Sequence, residues 1–217
     1  MKIFDFDITA FQFRYVVESL FGTSLESLNS PEEKLDLEAG GDTQTSLHAR
    51  FYEKLNSKGG WPELEEIYTN FLREKVCCLF EDSSFMVQRC PNIRFSRPGA
   101  KAVYTWHSDG DERHGHPPGE INIYLPITRS YGPASIWVES LPGLGDFQPV
   151  DLEHGQFLMA YLNRLRHGNV TNTTGETRVS LDFRIVPLSA YDPLYPKTTI
   201  TTKQRFVEGE YYTRLDF

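Results

Sequence analysis

A mainly β fold, with helices gathered at its N-terminal end, is predicted by three observations. The first eighty residues or so carry apolar side chains at helical spacing. From about Ser83 the texture changes to short alternating runs separated by Gly- and Pro-containing turns. The length of 217 residues suits one domain with a real core and helical additions, not two domains. Together these point to a β-sandwich or small barrel bearing helices.

Residues 8–21 form the first expected helix, with irregular spacing. Residues 28–41, rich in Asn, Ser, Pro, Glu and Gly, read as a linker. Leu47, Phe51, Tyr52 and Leu55 mark a short second helix. Leu64, Ile67, Tyr68, Phe71, Leu72, Val76, Leu79 and Phe80 follow the 3,4 spacing of a longer third one, with Pro62 suited to its first turn. Expected strands cover 85–88, 93–95, 102–106, 120–127, 134–138, 155–161 and 177–186. The predicted organisation of the single domain 1–217 is therefore a helical part at 1–82, a β core at 83–187 and a loop-like extension at 188–217. The adjacent Tyr211 and Tyr212 of that extension can pack over the barrel mouth.

A formal charge of −8 and an isoelectric point near 5.3 argue against nucleic acid as a partner, because phosphate binding needs a positive surface. No apolar run reaches the length of a membrane span. The N-terminus lacks the basic-then-apolar layout of a secretion signal. Cys77 and Cys78 are adjacent and Cys90 makes the count odd, which fits a reduced, cytoplasmic setting.

The chemistry lies in His107-x-Asp109 and the distant His167. Residues two apart share one face of a strand, so His107 and Asp109 point the same way if the strand at 102–106 runs on through them. Two imidazoles and one carboxylate hold one face of an Fe(II) ion and leave the other open; structural zinc would draw more on cysteine. Each motif alone occurs by chance in loops, and the loop after Asp109 also holds His114 and His116. The ordered combination is what marks a metal site.

Residues 177–186 alternate strictly, with Arg178, Ser180, Asp182 and Arg184 on one face and Val179, Leu181, Phe183 and Ile185 on the other. A solvated outer face is the ordinary account of such a polar row; a polar barrel interior is the other. In the second case a guanidinium fork grips a carboxylate, and Ser180 adds a hydroxyl. The natural guest is 2-oxoglutarate, whose keto-acid end chelates iron. Arg178 is the preferred anchor and Arg184 its rival, since Asp182 can pair with Arg184 as a structural bridge.

Pro91-Asn-Ile-Arg-Phe95, Trp106-His-Ser-Asp109, Gly115-His-Pro-Pro-Gly-Glu-Ile-Asn122, Leu125-Pro-Ile-Thr128, Trp137-Val-Glu-Ser140, His167-Gly-Asn169 and Arg178-Val-Ser-Leu-Asp-Phe-Arg184 together resemble the Fe(II)/2-oxoglutarate-dependent dioxygenases. Within that superfamily they look like the StrG-type hydroxylases of streptomycin biosynthesis. The resemblance spans roughly residues 85–186. It implies a double-stranded β-helix (jelly-roll or cupin-like) core, iron on His107, Asp109 and His167, and 2-oxoglutarate on Arg178 and Ser180. Halogenating relatives lack the metal carboxylate; Asp109 is present, so hydroxylation is implied.

The expected activity is hydroxylation of an unactivated C–H bond of a small polar metabolite (a sugar, aminoglycoside-like or amino-acid-derived), with O2 consumed and succinate and CO2 released. Asn122 and Arg94 are further candidates for the co-substrate. Trp137 and Glu139 suit a sugar, amine or guanidino group, and Arg129, Arg164 and Arg166 an anionic one. The rival readings are a metal-dependent cupin isomerase or hydrolase, and a non-catalytic carbohydrate-binding jelly-roll module.

Overall fold

The computed structural model describes residues 1–28, 45–99 and 106–217. All but the first residue of the expected linker at 28–41, and all but the last of the expected strand at 102–106, lie outside the described residues.

Among the described residues three α-helices occupy the N-terminal part: α1 (Phe13–Phe21), α2 (Ser46–Leu55) and α3 (Pro62–Phe71). The first starts five residues later than its apolar pattern suggests. The Asp7 carboxylate accepts from the backbone and hydroxyl of Thr9, which holds the preceding chain in a turn. Gly22, at φ 71°, then ends α1 in the left-handed region. Pro62 opens α3 as expected, but the helical path does not run unchanged to residue 80. It widens into a π turn at Leu72–Val76 and tightens into a 3₁₀ turn at Cys77–Leu79.

Among the described residues there are ten strands: β1 (Lys2–Asp5), β2 (Ser84–Gln88), β3 (Asn92–Ser96), β4 (Ile121–Pro126), β5 (Ile136–Val138), β6 (Gln148–Val150), β7 (Gln156–Ala160), β8 (His167–Gly168), β9 (Arg178–Pro187) and β10 (Tyr212–Asp216). One sheet runs β1-β7-β4-β9-β2-β10, and β3 pairs with the first half of β9. A smaller sheet runs β6-β5-β8. All pairings are antiparallel. Four of these strands, β1, β6, β8 and β10, escaped the sequence patterns. β1 is short and its Ile3 is exposed; β10 gives the loop-like extension a sheet ending.

The large sheet separates two chemistries. On one face Ile121, Ile123, Leu125, Val179, Leu181, Phe183 and Ile185 join the helices in a continuous core. Phe71 sits at its centre, edge-on to Phe6, Phe11, Phe13, Phe157 and Phe183. On the other face Tyr124, Leu158 and Ala160 meet Ile136, Val138 and Leu152 of the small-sheet region. The polar row of β9 shares this inner face. Arg178, Ser180 and Arg184 are buried and Asp182 is half-buried, so the row is interior, not a solvated exterior. A third cluster, with Phe206, Tyr211 and Tyr212 against Met86 and Val186, ties the C-terminal extension to the large sheet. Among the described residues no helix is long and apolar enough to cross a membrane.

Candidate metal centre

The two histidines are set by backbone. His107 N–H donates to the His167 carbonyl at 3.1 Å, and His167 N–H returns the bond at 2.8 Å. This bridge brings the imidazole centroids to 4.5 Å. Asp109 does not continue a strand. It lies in a turn, where its N–H donates to Leu162 O at 2.9 Å and Gly110 N–H to Asn163 O at 3.0 Å. The turn, not strand alternation, is what aims the carboxylate inward. Asn163 also donates to the carbonyls of His116 and Pro117, closing the loop.

Asp109 Oδ1 lies 3.7 Å from His107 Nε2 and 3.6 Å from His167 Nε2. One ligand atom from each of the three residues falls within 4.8 Å of the others. That span fits donors around an ion about 2.1 Å from each. The donor chemistry also fits. His167 Nδ1 lies 3.2 Å from the Leu165 carbonyl, which can only accept, so its Nε2 keeps the lone pair a metal needs. Burial outweighs the pull of Asp109 and lowers the His167 pKa, favouring the neutral ring. For Asp109 burial pushes upward, but Arg184 first, then His167 and His116, hold the carboxyl well below the usual range.

The second oxygen of Asp109 has its own partners. Oδ2 accepts from Asn122 Nδ2 at 2.7 Å, Arg184 Nη2 at 2.8 Å and Arg184 Nε at 3.2 Å. Arg184 Nη1 reaches Asp182 Oδ2 at 2.9 Å, and Arg94 Nε reaches Asp182 Oδ1 at 2.7 Å. Asn122 Oδ1 accepts from Leu162 N–H. Asn122, Arg94 and Arg184 thus hold the metal carboxylate or its neighbours. The alternation of β9 made the Asp182–Arg184 pair legible; nothing in the sequence signalled Asn163.

Arg178 is different. It is 3% exposed, and it donates only to neutral acceptors, from Nε to Ala134 O at 2.9 Å and from Nη1 to Ser180 Oγ at 2.8 Å. Its guanidinium lies over the Tyr124 ring at 5.8 Å. Among the described residues no carboxylate pairs with it. Arg178, Arg184, Asn122 and the triad all line one cavity of about 630 Å3. Part of its lining comes from the C-terminal extension, including Thr199, Gln204 and Tyr211.

Four other candidates are not brought to that cavity. Trp137 is half-buried and donates to Gly132 O. Glu139 is wholly buried, accepting from the N–H groups of Arg166 and Gly145 and from Arg166 Nε. Arg129 pairs with Glu153 on the surface, and Arg164 is exposed. Of the loop histidines, His114 stacks on His107 at 4.1 Å between centroids and binds Asp111. His116 pairs with the buried Glu120, which also accepts from the Tyr212 hydroxyl.

No protein-family model matches the chain. The streptomycin biosynthesis protein StrG of Streptomyces griseus is 31% identical over 208 residues, which is 95% of this chain and 94% of that protein. The chain belongs to the StrG family. Solved structures with partial likeness to this StrG-family chain include CytC3 with Fe(II) and alpha-ketoglutarate, at 16% identity over 71% of this chain and 63% of that one, with a TM-score of 0.46. A non-heme monooxygenase, the ThoJ–Ni complex, shows 14% identity over 84% and 71%, with a TM-score of 0.43. AviO1 from Streptomyces viridochromogenes Tue57 shows 18% identity over 85% of each chain, with a TM-score of 0.39. With TM-scores below 0.5, none of these likenesses bears on the chemistry.

Proposed function

We propose that this StrG-family chain is an Fe(II)- and 2-oxoglutarate-dependent oxygenase that hydroxylates a C–H bond of a small polar metabolite. The observation that carries the proposal is the pairing, in one cavity, of a metal-competent His–Asp–His triad with a buried guanidinium lacking a carboxylate partner among the described residues. A buried cation without a counter-ion is costly, so a site that keeps one is built for an anionic guest. A distal carboxylate of a keto-diacid suits the remaining N–H groups of Arg178.

His107, Asp109 and His167 would hold the iron, which when bound supplies the oxygen-activating redox chemistry that converts 2-oxoglutarate to succinate and CO2. The protein's own part is positioning. The His107–His167 bridge fixes the imidazole spacing, and the Leu165 carbonyl fixes the tautomer of His167. Arg178, which lines the same cavity, orients the co-substrate, and Ser180 holds its guanidinium. Substrate contacts come from the cavity-lining extension, with Thr199, Gln204 and Tyr211, and from Tyr52 of α2 and Asn56 just after it. Trp137, Glu139, Arg129 and Arg164 then shape or solvate the surrounding structure. The kinship with StrG favours a sugar, aminoglycoside-like or amino-acid-derived substrate. The two facing antiparallel sheets support a jelly-roll core within one domain, and the free thiols Cys77, Cys78 and Cys90 suit the cytoplasm.

The test is anaerobic titration of the protein with Fe(II) and 2-oxoglutarate, followed by succinate measurement in air. A weak visible charge-transfer band and succinate formation, both lost in His107→Ala, are expected. Full succinate formation by His107→Ala would refute the metal assignment. Metal binding without any response to 2-oxoglutarate would move the protein to the isomerase or hydrolase reading.

A further inference from the structure

We infer that Arg184 and Asn122 form a clamp on Asp109 that restricts this carboxylate to one metal-facing oxygen, so that Arg184 is a positioning residue of the metal centre and not the anchor of the co-substrate. The inference rests on the oxygenase reading above and concerns residues that reading leaves without a role.

The two oxygens of Asp109 are treated unequally. Oδ1 faces both imidazoles, at 3.7 and 3.6 Å from their Nε2 atoms. Oδ2 is turned away and accepts three N–H donors, one from Asn122 and two from Arg184. A carboxylate oxygen offers about two lone-pair directions, so three donors saturate Oδ2. Swinging it onto a metal would break a charge-assisted fork in a buried place, where an abandoned donor is expensive. A carboxylate bound through Oδ1 alone takes one coordination position. A metal held by His107, His167 and Asp109 Oδ1 would then keep more of its coordination sphere open to a keto acid and oxygen. A bidentate Asp109 would close part of that open side.

The clamp is itself braced. Nη1 of Arg184 is held by Asp182 Oδ2, whose other oxygen accepts from Arg94 and which also accepts from Asn92. All three guanidinium nitrogens of Arg184 therefore donate to protein carboxylates, so its charge is already met by Asp109 and Asp182, whereas that of Arg178 is met by no carboxylate among the described residues. Asn122 is pinned by the Leu162 N–H on its carbonyl oxygen. The division between the two arginines follows: Arg184 serves the metal ligand, Arg178 the anion.

The experiment uses Co(II) as the probe in the full-length protein, read by anaerobic titration and by the visible spectrum, with Arg184→Lys and Asn122→Ala compared against Arg178→Gln. Removing outer partners of a ligating carboxylate costs on the order of 10–100-fold in metal affinity. That loss is expected for Arg184→Lys and Asn122→Ala, together with a changed Co(II) spectrum, while the apparent 2-oxoglutarate affinity at saturating metal stays near wild type. Arg178→Gln is expected to do the reverse. Circular dichroism identifies any variant that does not fold, and Asn122→Ala, which leaves every buried charge paired, carries the test if Arg184→Lys fails. Wild-type Co(II) binding with folded variants within about twofold of it overturns the clamp alone. A wild-type protein that takes up no divalent ion overturns the triad and the clamp together.

Discussion

Arg178→Gln separates the cost of a buried cation from its use. The substitution removes the charge but keeps a planar amide able to reach Ser180 or the Ala134 carbonyl, the two neutral partners Arg178 has now. Loss of one partner from a buried, hydrogen-bonded charge pair costs about 2–5 kcal/mol. The low end applies here, because the Ser180 hydroxyl remains for the carboxylate. About 2 kcal/mol is roughly a 30-fold weaker complex. At a 2-oxoglutarate concentration about 100 times the wild-type dissociation constant, ligand stabilisation is about 2.7 kcal/mol for wild type and falls to about 0.9 kcal/mol for the variant. For a chain of this length that difference is a loss of about 4–7 °C in the ligand-induced shift of Tm. The assay is thermal unfolding with Mn(II) under nitrogen, with and without 2-oxoglutarate, each protein compared with itself so that the variant's own stability cancels. An undiminished shift in folded Arg178→Gln would show that the guanidinium does not hold the co-substrate.

Other outcomes follow from the loops and core around the site. A Cβ on Gly110 would lie 2.7 Å from the Asn163 carbonyl oxygen and 2.5 Å from its Oδ1, so Gly110→Ala is expected to destabilise by about 1–3 kcal/mol and to weaken metal binding by displacing Asp109; urea unfolding and Co(II) titration check both. Glu139→Ala strips acceptors from the Arg166 and Gly145 N–H groups and is expected to cost about 2–4 kcal/mol in urea while leaving the substrate KM of the folded enzyme unchanged. A large rise in KM at unchanged stability would return Glu139 to the substrate. His48 is pushed down to about 3 by burial, reinforced by Arg94 and Arg97. Its folded pKa lies below its unfolded value, so the unfolded chain takes up the proton first as pH falls below about 6.5, and stability drains away until about pH 3. Between pH 7 and pH 5 this group alone is expected to remove about 2 kcal/mol, and His48→Leu, measured by urea unfolding at both pH values, to lack that share.

The sequence was most legible where a chemical motif coincided with a period. The two-residue alternation of β9 separated Val179, Leu181, Phe183 and Ile185 from a polar row, and both faces are as the alternation divides them. Alternation could not say which face met solvent. That was decided by the helices, which cover the apolar side and leave the polar side to the small sheet and the C-terminal extension. The triad was readable because His-x-Asp and the later His stand in order with the Arg178-x-Ser180 pattern, although the geometry that unites them is a turn and a two-residue bridge, neither of which has a periodic signature. The edge strands were the least readable. β1 and β10 are four and five residues long, and their pairing with β7 and β2 spans most of the chain, so no local pattern specifies it.

The partners of the site residues were hidden for a related reason. Asn122 stood out as a polar residue in an apolar strand, and the sequence suggested that it served a ligand. Its actual partner, Asp109, lies 13 positions earlier, and Arg184 reaches the same oxygen from 75 positions later. Such a contact is a product of sheet order: β4 lies beside β9, and the cross-strand pair Asn122–Arg184 puts both donors at one level of the sheet. Asp109 enters from the turn that precedes β4, and that turn is held by Gly110 N–H on the Asn163 carbonyl and by the Asn163 side chain, both unremarkable in the sequence. The site is therefore specified twice, once by ligand identities that a sequence displays and once by a register that only the folded sheet supplies. A strand slip of one residue between β4 and β9 would leave every ligand in the chain and would carry Asn122 away from Arg184 to the apolar face, dissolving the clamp.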